Sequence, residues 1–133
     1  YCARRAALSH TAPEIQALLE ELERSLALQQ QIFEEGRDVA AFADEDQRFH
    51  RLLVSCSGNS AFIDLFDQYM YRIKKLACYS LKKENRMLET LKEHRQIFEA
   101  IAAGSGQAAY DAVLFHMDAP YVANLEAAYS ADS

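Results

Sequence analysis

The sequence predicts an all-α fold, an antiparallel bundle of about six helices, and three observations carry that prediction. Glycine and proline number only 4 and 2 in 133 residues, so few positions break a helix. Apolar residues recur three and four apart, the spacing that lines one face of a helix. Turn-forming residues divide these stretches at short intervals, which suits antiparallel neighbours joined by short links. With 50% hydrophobic residues, the chain is long enough for one domain with a real core and too short for two of ordinary size.

Residues 1–9 read as the end of a helix that begins upstream. Thr11-Ala12-Pro13-Glu14 matches a capping box with proline in the first turn. The second helix is expected to run to about Phe33 with Ile15, Leu18, Leu19, Leu22, Leu26 and Leu28 inward, ending at Gly36. Asp38 can cap a third helix, which closes at Cys56-Ser57-Gly58-Asn59, a cluster of turn formers. Ser60 is the expected cap of the fourth, whose inward row is read as Phe62, Leu65, Phe66, Tyr69, Ile73 and Leu76, continuing to Leu81. A polar link, Lys82 to Asn85, leads to a fifth helix that ends at Gly104. The sixth starts near Ser105 and carries His116. Pro120 removes the donor for the carbonyl of residue 116, so a bend is expected just after that histidine.

Four polar residues interrupt the apolar rows. Asp46 and His50 follow Val39, Phe42 and Ala43 and precede Leu53; His94 sits among Met87, Leu91, Phe98 and Ile101; His116 follows Ala109, Ala112 and Val113. Residues four apart share a helix face, so Asp46 and His50 can grip one ion. An unpaired ionisable group turned inward costs several kcal/mol, on the order of a lost hydrogen bond or more. One divalent ion would satisfy all four. Three imidazoles and a carboxylate suit Zn, Ni, Fe or Mn and do not suit Ca, which prefers oxygen. A 2+ ion with one carboxylate and neutral imidazoles leaves a net positive site, which should attract a small organic carboxylate. Candidate contacts for that ligand are Arg72, through a bidentate guanidinium pairing, the Tyr69 hydroxyl, and Asn59, which also suits a turn or cap.

Several classes are excluded. The net charge of −6 opposes direct binding to nucleic acid, which requires clustered Lys and Arg. No apolar run approaches membrane-spanning length, and residues 1–10 lack a signal sequence. Three widely spaced cysteines, Cys2, Cys56 and Cys78, point to reduced thiols and a cytoplasmic location. No HExxH, phosphate-binding glycine loop or Glu-x-x-His di-iron pair is present. Two other classes remain beside a sensor: a metalloenzyme using an open metal site to activate water, and a helical oligomerisation domain with structural histidines.

Four segments carry a family likeness. Asp46-Gln47-Arg48-Phe49-His50-Arg51-Leu52-Leu53, Ser57-Gly58-Asn59, Glu93-His94-Arg95-Gln96-Ile97-Phe98-Glu99-Ala100-Ile101 and His116-Met117 resemble the FCD domain, the effector-binding C-terminal domain of FadR-type GntR transcriptional regulators. The resemblance covers nearly the whole chain. It implies metal ligation by Asp46, His50, His94 and His116, a homodimer, and a cavity beside the metal for a small carboxylate metabolite. It also implies that DNA is contacted only through an N-terminal winged helix-turn-helix domain outside this sequence. On this resemblance, residues 1–133 form one ligand-binding and dimerisation domain with a truncated first helix.

Overall fold

The computed structural model describes residues 1–56 and 58–116, without the side chains of 71 and 73. Among these residues are six helices and no strand: α1 (Cys2–Leu8), α2 (Pro13–Glu34), α3 (Val39–Ser55), α4 (Ser60–Leu81), α5 (Arg86–Ala102) and α6 (106–116). The expected all-α bundle is present. Met117, Pro120 and the bend expected after His116 fall outside the described residues.

The helix ends show which local signals act. Asp38 caps α3, its Oδ1 accepting from Ala41 N at 3.1 Å, as expected. At α2 the capping box is not formed: Ala12 is the N-cap without a side-chain hydrogen bond, and Pro13 alone starts the helix. Proline fixes a helical φ and has no N–H to satisfy, so the cap is dispensable there. At α4 the cap is Asn59 rather than Ser60, with Asn59 Oδ1 accepting from Phe62 N at 3.2 Å. Gly104, at φ +74°, closes α5 where a Cβ would come within 2.6 Å of the His10 ring. Both the left-handed backbone and the close approach call for glycine.

The core joins α1, α2, α3 and α5. Ala3, Ala6 and Ala7 let α1 approach closely; Leu22 and Leu26 of α2, Phe42 and Phe49 of α3, and Ile97 and Ile101 of α5 are buried between them. Ala109 ties α6 to the same cluster, whereas Leu28 of α2, expected inward, is exposed. Polar bonds fix the register of α2 on α3: Ser25 Oγ donates to Glu45 at 2.9 Å, and Arg48 reaches Glu21 at 3.0 Å.

Helix α4 attaches to α3 through Gln47 Nε2, which donates to the Met70 carbonyl at 3.0 Å, and through Arg51–Asp67 and Lys74–Asp44 ion pairs. This orientation corrects the sequence reading. Phe62, Leu65, Tyr69 and Leu76, expected inward, are exposed. Phe66, also expected inward, is half-buried, as are Ile63, Met70 and Ala77, and Leu81 is buried; the side chain of Ile73 lies outside those described. The helix carries two apolar rows, and periodicity alone does not say which one faces its neighbours.

Candidate metal centre

Asp46 and His50 lie one turn apart on α3, His94 comes from the middle of α5, and His116 is the last described residue of α6. The structure brings all four together, with one ligand atom from each inside a 4.8 Å cluster. Asp46 Oδ1 is 2.9 Å from His94 Nε2 and 3.3 Å from His50 Nε2. His116 Nε2 is 3.2 Å from His94 Nε2 and 3.0 Å from His50 Nε2. Metal–ligand bonds near ~2.1 Å place neighbouring ligand atoms about 3.0 Å apart in an octahedron and about 3.4 Å apart in a tetrahedron. The four separations, 2.9 to 3.3 Å, are close to these distances.

The surrounding hydrogen bonds set the histidine tautomers. His94 Nδ1 is 2.7 Å from Gln29 Oε1, while Gln29 Nε2 donates to Ser25 Oγ at 3.1 Å and Ser25 donates to Glu45. Every donor in this chain points toward the Glu45 carboxylate. His94 therefore carries its proton on Nδ1 and turns the Nε2 lone pair to the centre. His116 Nδ1 donates to Glu93 Oε1 at 2.7 Å, and Glu93 is held by two 2.8 Å bonds from Arg86. Its Nε2 lone pair also faces the centre. Two nitrogen lone pairs and a carboxylate thus converge within hydrogen-bond distance, and a single proton from His50 Nε2 cannot satisfy all three. The donor set fits a divalent cation, and these outer partners are the kind that orient metal-ligating imidazoles.

Electrostatics agree with ligand-ready protonation. Burial pushes the His94 imidazole down to about 4, and burial likewise lowers His116, against the opposing pull of Glu93. Both rings are neutral near pH 7. Burial raises the Asp46 carboxyl, but its interactions with His50 and His94 together outweigh that and hold the group well below the usual carboxylate range. The Phe49 ring stacks on His94 with centroids 4.4 Å apart, closing one side of the imidazole with apolar surface.

Sequence reasoning missed the outer partners Gln29, Ser25, Glu93 and Arg86, all buried. A signal was present. Ser25 and Gln29 are four apart beside the Leu22–Leu26 row, and Arg86 and Glu93 lie two turns apart beside Met87 and His94. The candidate effector contacts are placed differently. Asn59 Oδ1 serves the α4 cap, Tyr69 is half exposed, and Arg72 is exposed on the same side of α4.

Residues 1–119 match the family model described as FCD domain. The chain belongs to the FCD domain family. This FCD domain is the C-terminal effector-binding domain of a GntR-type regulator, and its family is a regulatory ligand-binding one, not a catalytic one. No curated protein sequence matches the FCD domain described here at a significant level. Among its described residues, no helix is long and apolar enough to cross a membrane.

Proposed function

We propose that this FCD domain senses a small organic carboxylate through a divalent metal held by Asp46, His50, His94 and His116, and that occupancy alters DNA binding by the winged helix-turn-helix part of a homodimeric regulator. The observation that carries this reading is the convergence of the His94 and His116 lone pairs on the Asp46 carboxylate, with each outer ring nitrogen committed to a buried partner. When bound, the ion supplies a positive Lewis-acidic centre for an anionic oxygen. Its residual charge is not cancelled nearby, because Glu93 is paired with Arg86 and Glu45 with Arg48. Zn, Ni, Fe and Mn all suit the donors. Arg72, Tyr69 and Asn59 are not assigned to the effector in this reading: Asn59 caps α4, and the other two are solvent-exposed.

Elemental analysis of the purified domain tests the proposal. About one divalent ion per chain is expected, together with its loss in a His50→Ala/His94→Ala variant. Titration with di- and tricarboxylates should then give saturable binding to the metal-loaded protein and none to the chelator-treated one. Equal metal content in wild type and the double variant, or carboxylate binding indifferent to metal, overturns it.

A further inference from the structure

Helix α4 presents to solvent a continuous row of large side chains. Phe62, Leu65, Tyr69, Leu76 and Tyr79 are between 43% and 68% exposed, and exposed Arg72 completes the row. Positions 62, 65, 69, 72, 76 and 79 alternate steps of three and four along the whole helix. That is the narrow seam of a helix that packs on another helix, not the wider stripe of a helix lying on a core. The seam is about 26 Å long at ~1.5 Å per residue, a longer apolar run than scattered surface residues produce.

The order of residues along the seam indicates the occupant. Read from its two ends toward its middle, it pairs Phe62 with Tyr79, Leu65 with Leu76, and Tyr69 with Arg72. These are an aromatic pair, an aliphatic pair and a cation beside an aromatic ring, each favourable in contact. The flanking charges are sorted in the same sense. Asp64 and Asp67 lie in the N-terminal half, whereas Lys74, Lys75, Lys82 and Lys83 lie toward the C-terminal end. Asp67 and Lys74 already bridge to α3, so they add to the field more than to new pairs. Two antiparallel copies set each acidic half against the other's basic half; two parallel copies would set like against like.

We infer that the exposed seam of α4 is the surface on which two copies of this chain pair, α4 against α4, antiparallel about a two-fold axis between Tyr69 and Arg72. Such a contact is isologous, the same patch serving both subunits. It rests on the homodimer of the proposed function and specifies which surface forms it. It also places Arg72 and Tyr69 between subunits, and gives the helix adjoining α3, which carries two of the candidate metal ligands, a direct route to the partner.

Sedimentation of the whole chain over a concentration series, with elemental analysis of each sample, tests the assignment. The wild type is expected to dimerise, and Leu65→Glu and Leu76→Glu are expected to weaken the dimer about 30-fold or more, with metal content unchanged as the control for folding. In a Leu65→Cys/Leu76→Cys variant, mild oxidation should link two chains efficiently, while Leu65→Cys alone and the wild type should not. A dimer that survives both glutamate variants overturns the α4 assignment and leaves the homodimer intact, formed elsewhere. Efficient linking through Leu65→Cys alone overturns the antiparallel arrangement. A wild type that stays monomeric overturns both the assignment and the homodimer.

Discussion

Gln29 contributes no ligand atom, yet it decides which nitrogen His94 turns toward the centre. Replacing it with alanine frees the ring to adopt the other tautomer and leaves a buried Nδ1–H without its acceptor. Metal affinity is expected to fall 10- to 100-fold, on the order seen when such outer partners are removed, as measured by competition with a chromogenic chelator. Glu93→Gln acts on His116 in the same way and also removes the charge that balances buried Arg86. Breaking a buried pair costs about 3–5 kcal/mol, so this variant should lose thermal stability as well as metal, and a denaturant titration separates the two effects. The histidines also set a pH dependence. The folded His94 pKa of about 4 lies below the unfolded value near ~6.5, so the unfolded chain binds the extra proton between these limits. Stability of the metal-free protein is therefore complete above about pH 6.5 and declines as pH falls toward 4, at about 1.4 kcal/mol per pH unit for one such group. Denaturation midpoints measured across that window check the sign; a midpoint that rises on acidification contradicts it.

At the scale of the element, the joint between α4 and α5 carries the most specific requirement. Asn85 precedes α5 with φ 63°, a left-handed conformation that asparagine tolerates and alanine resists. Asn85→Ala is expected to cost about 1 kcal/mol, and Asn85→Gly should be close to neutral, read by thermal unfolding of the two variants side by side. The two apolar rows of α4 show where local information ends. Spacing identified the helix and its length, since both rows obey it. The choice between them was made by Gln47, Arg51 and Asp44 on α3, which grip the side of α4 bearing Met70, Asp67 and Lys74. The α2 start illustrates the reverse case, in which a good capping pattern at Thr11 and Glu14 goes unused because Pro13 already begins the helix.

Over the whole molecule, the proposed ion is a staple. Its candidate ligands join α3, α5 and α6, which otherwise meet through Phe49, Ile97 and Ala109 of the core. An ion that binds only the folded chain stabilises it by mass action, about 2.7 kcal/mol at 100 times its dissociation constant. The melting temperature should therefore drop by on the order of 10 °C on chelation and return when Zn or Ni is added back. A melting curve indifferent to chelator would remove the staple. The small residues of α1 and the glycine at 104 matter on this scale too. They let α1 and the turn after α5 sit close to the bundle, which places the start of α6 so that His116 arrives opposite Glu93.

The helical class, most helix boundaries and the four candidate ligands were legible in the sequence, because each is a matter of spacing along one helix. Asp46 and His50 declare themselves by being four apart in an apolar row, and His94 and His116 by interrupting rows of their own. Neither the hydrogen-bond chain from His94 through Gln29 and Ser25 to Glu45 nor the Arg86–Glu93 clamp on His116 could be read in the same way. Ser25 and Glu45 are 20 residues apart and Gln29 and His94 are 65 apart, and only packing of α2 against α3 and α5 sets such distances. The sequence by itself determined that three histidines and one aspartate face inward. The tertiary structure alone decided that they face one another, which nitrogen each buried ring presents, and which face of α4 is left to solvent.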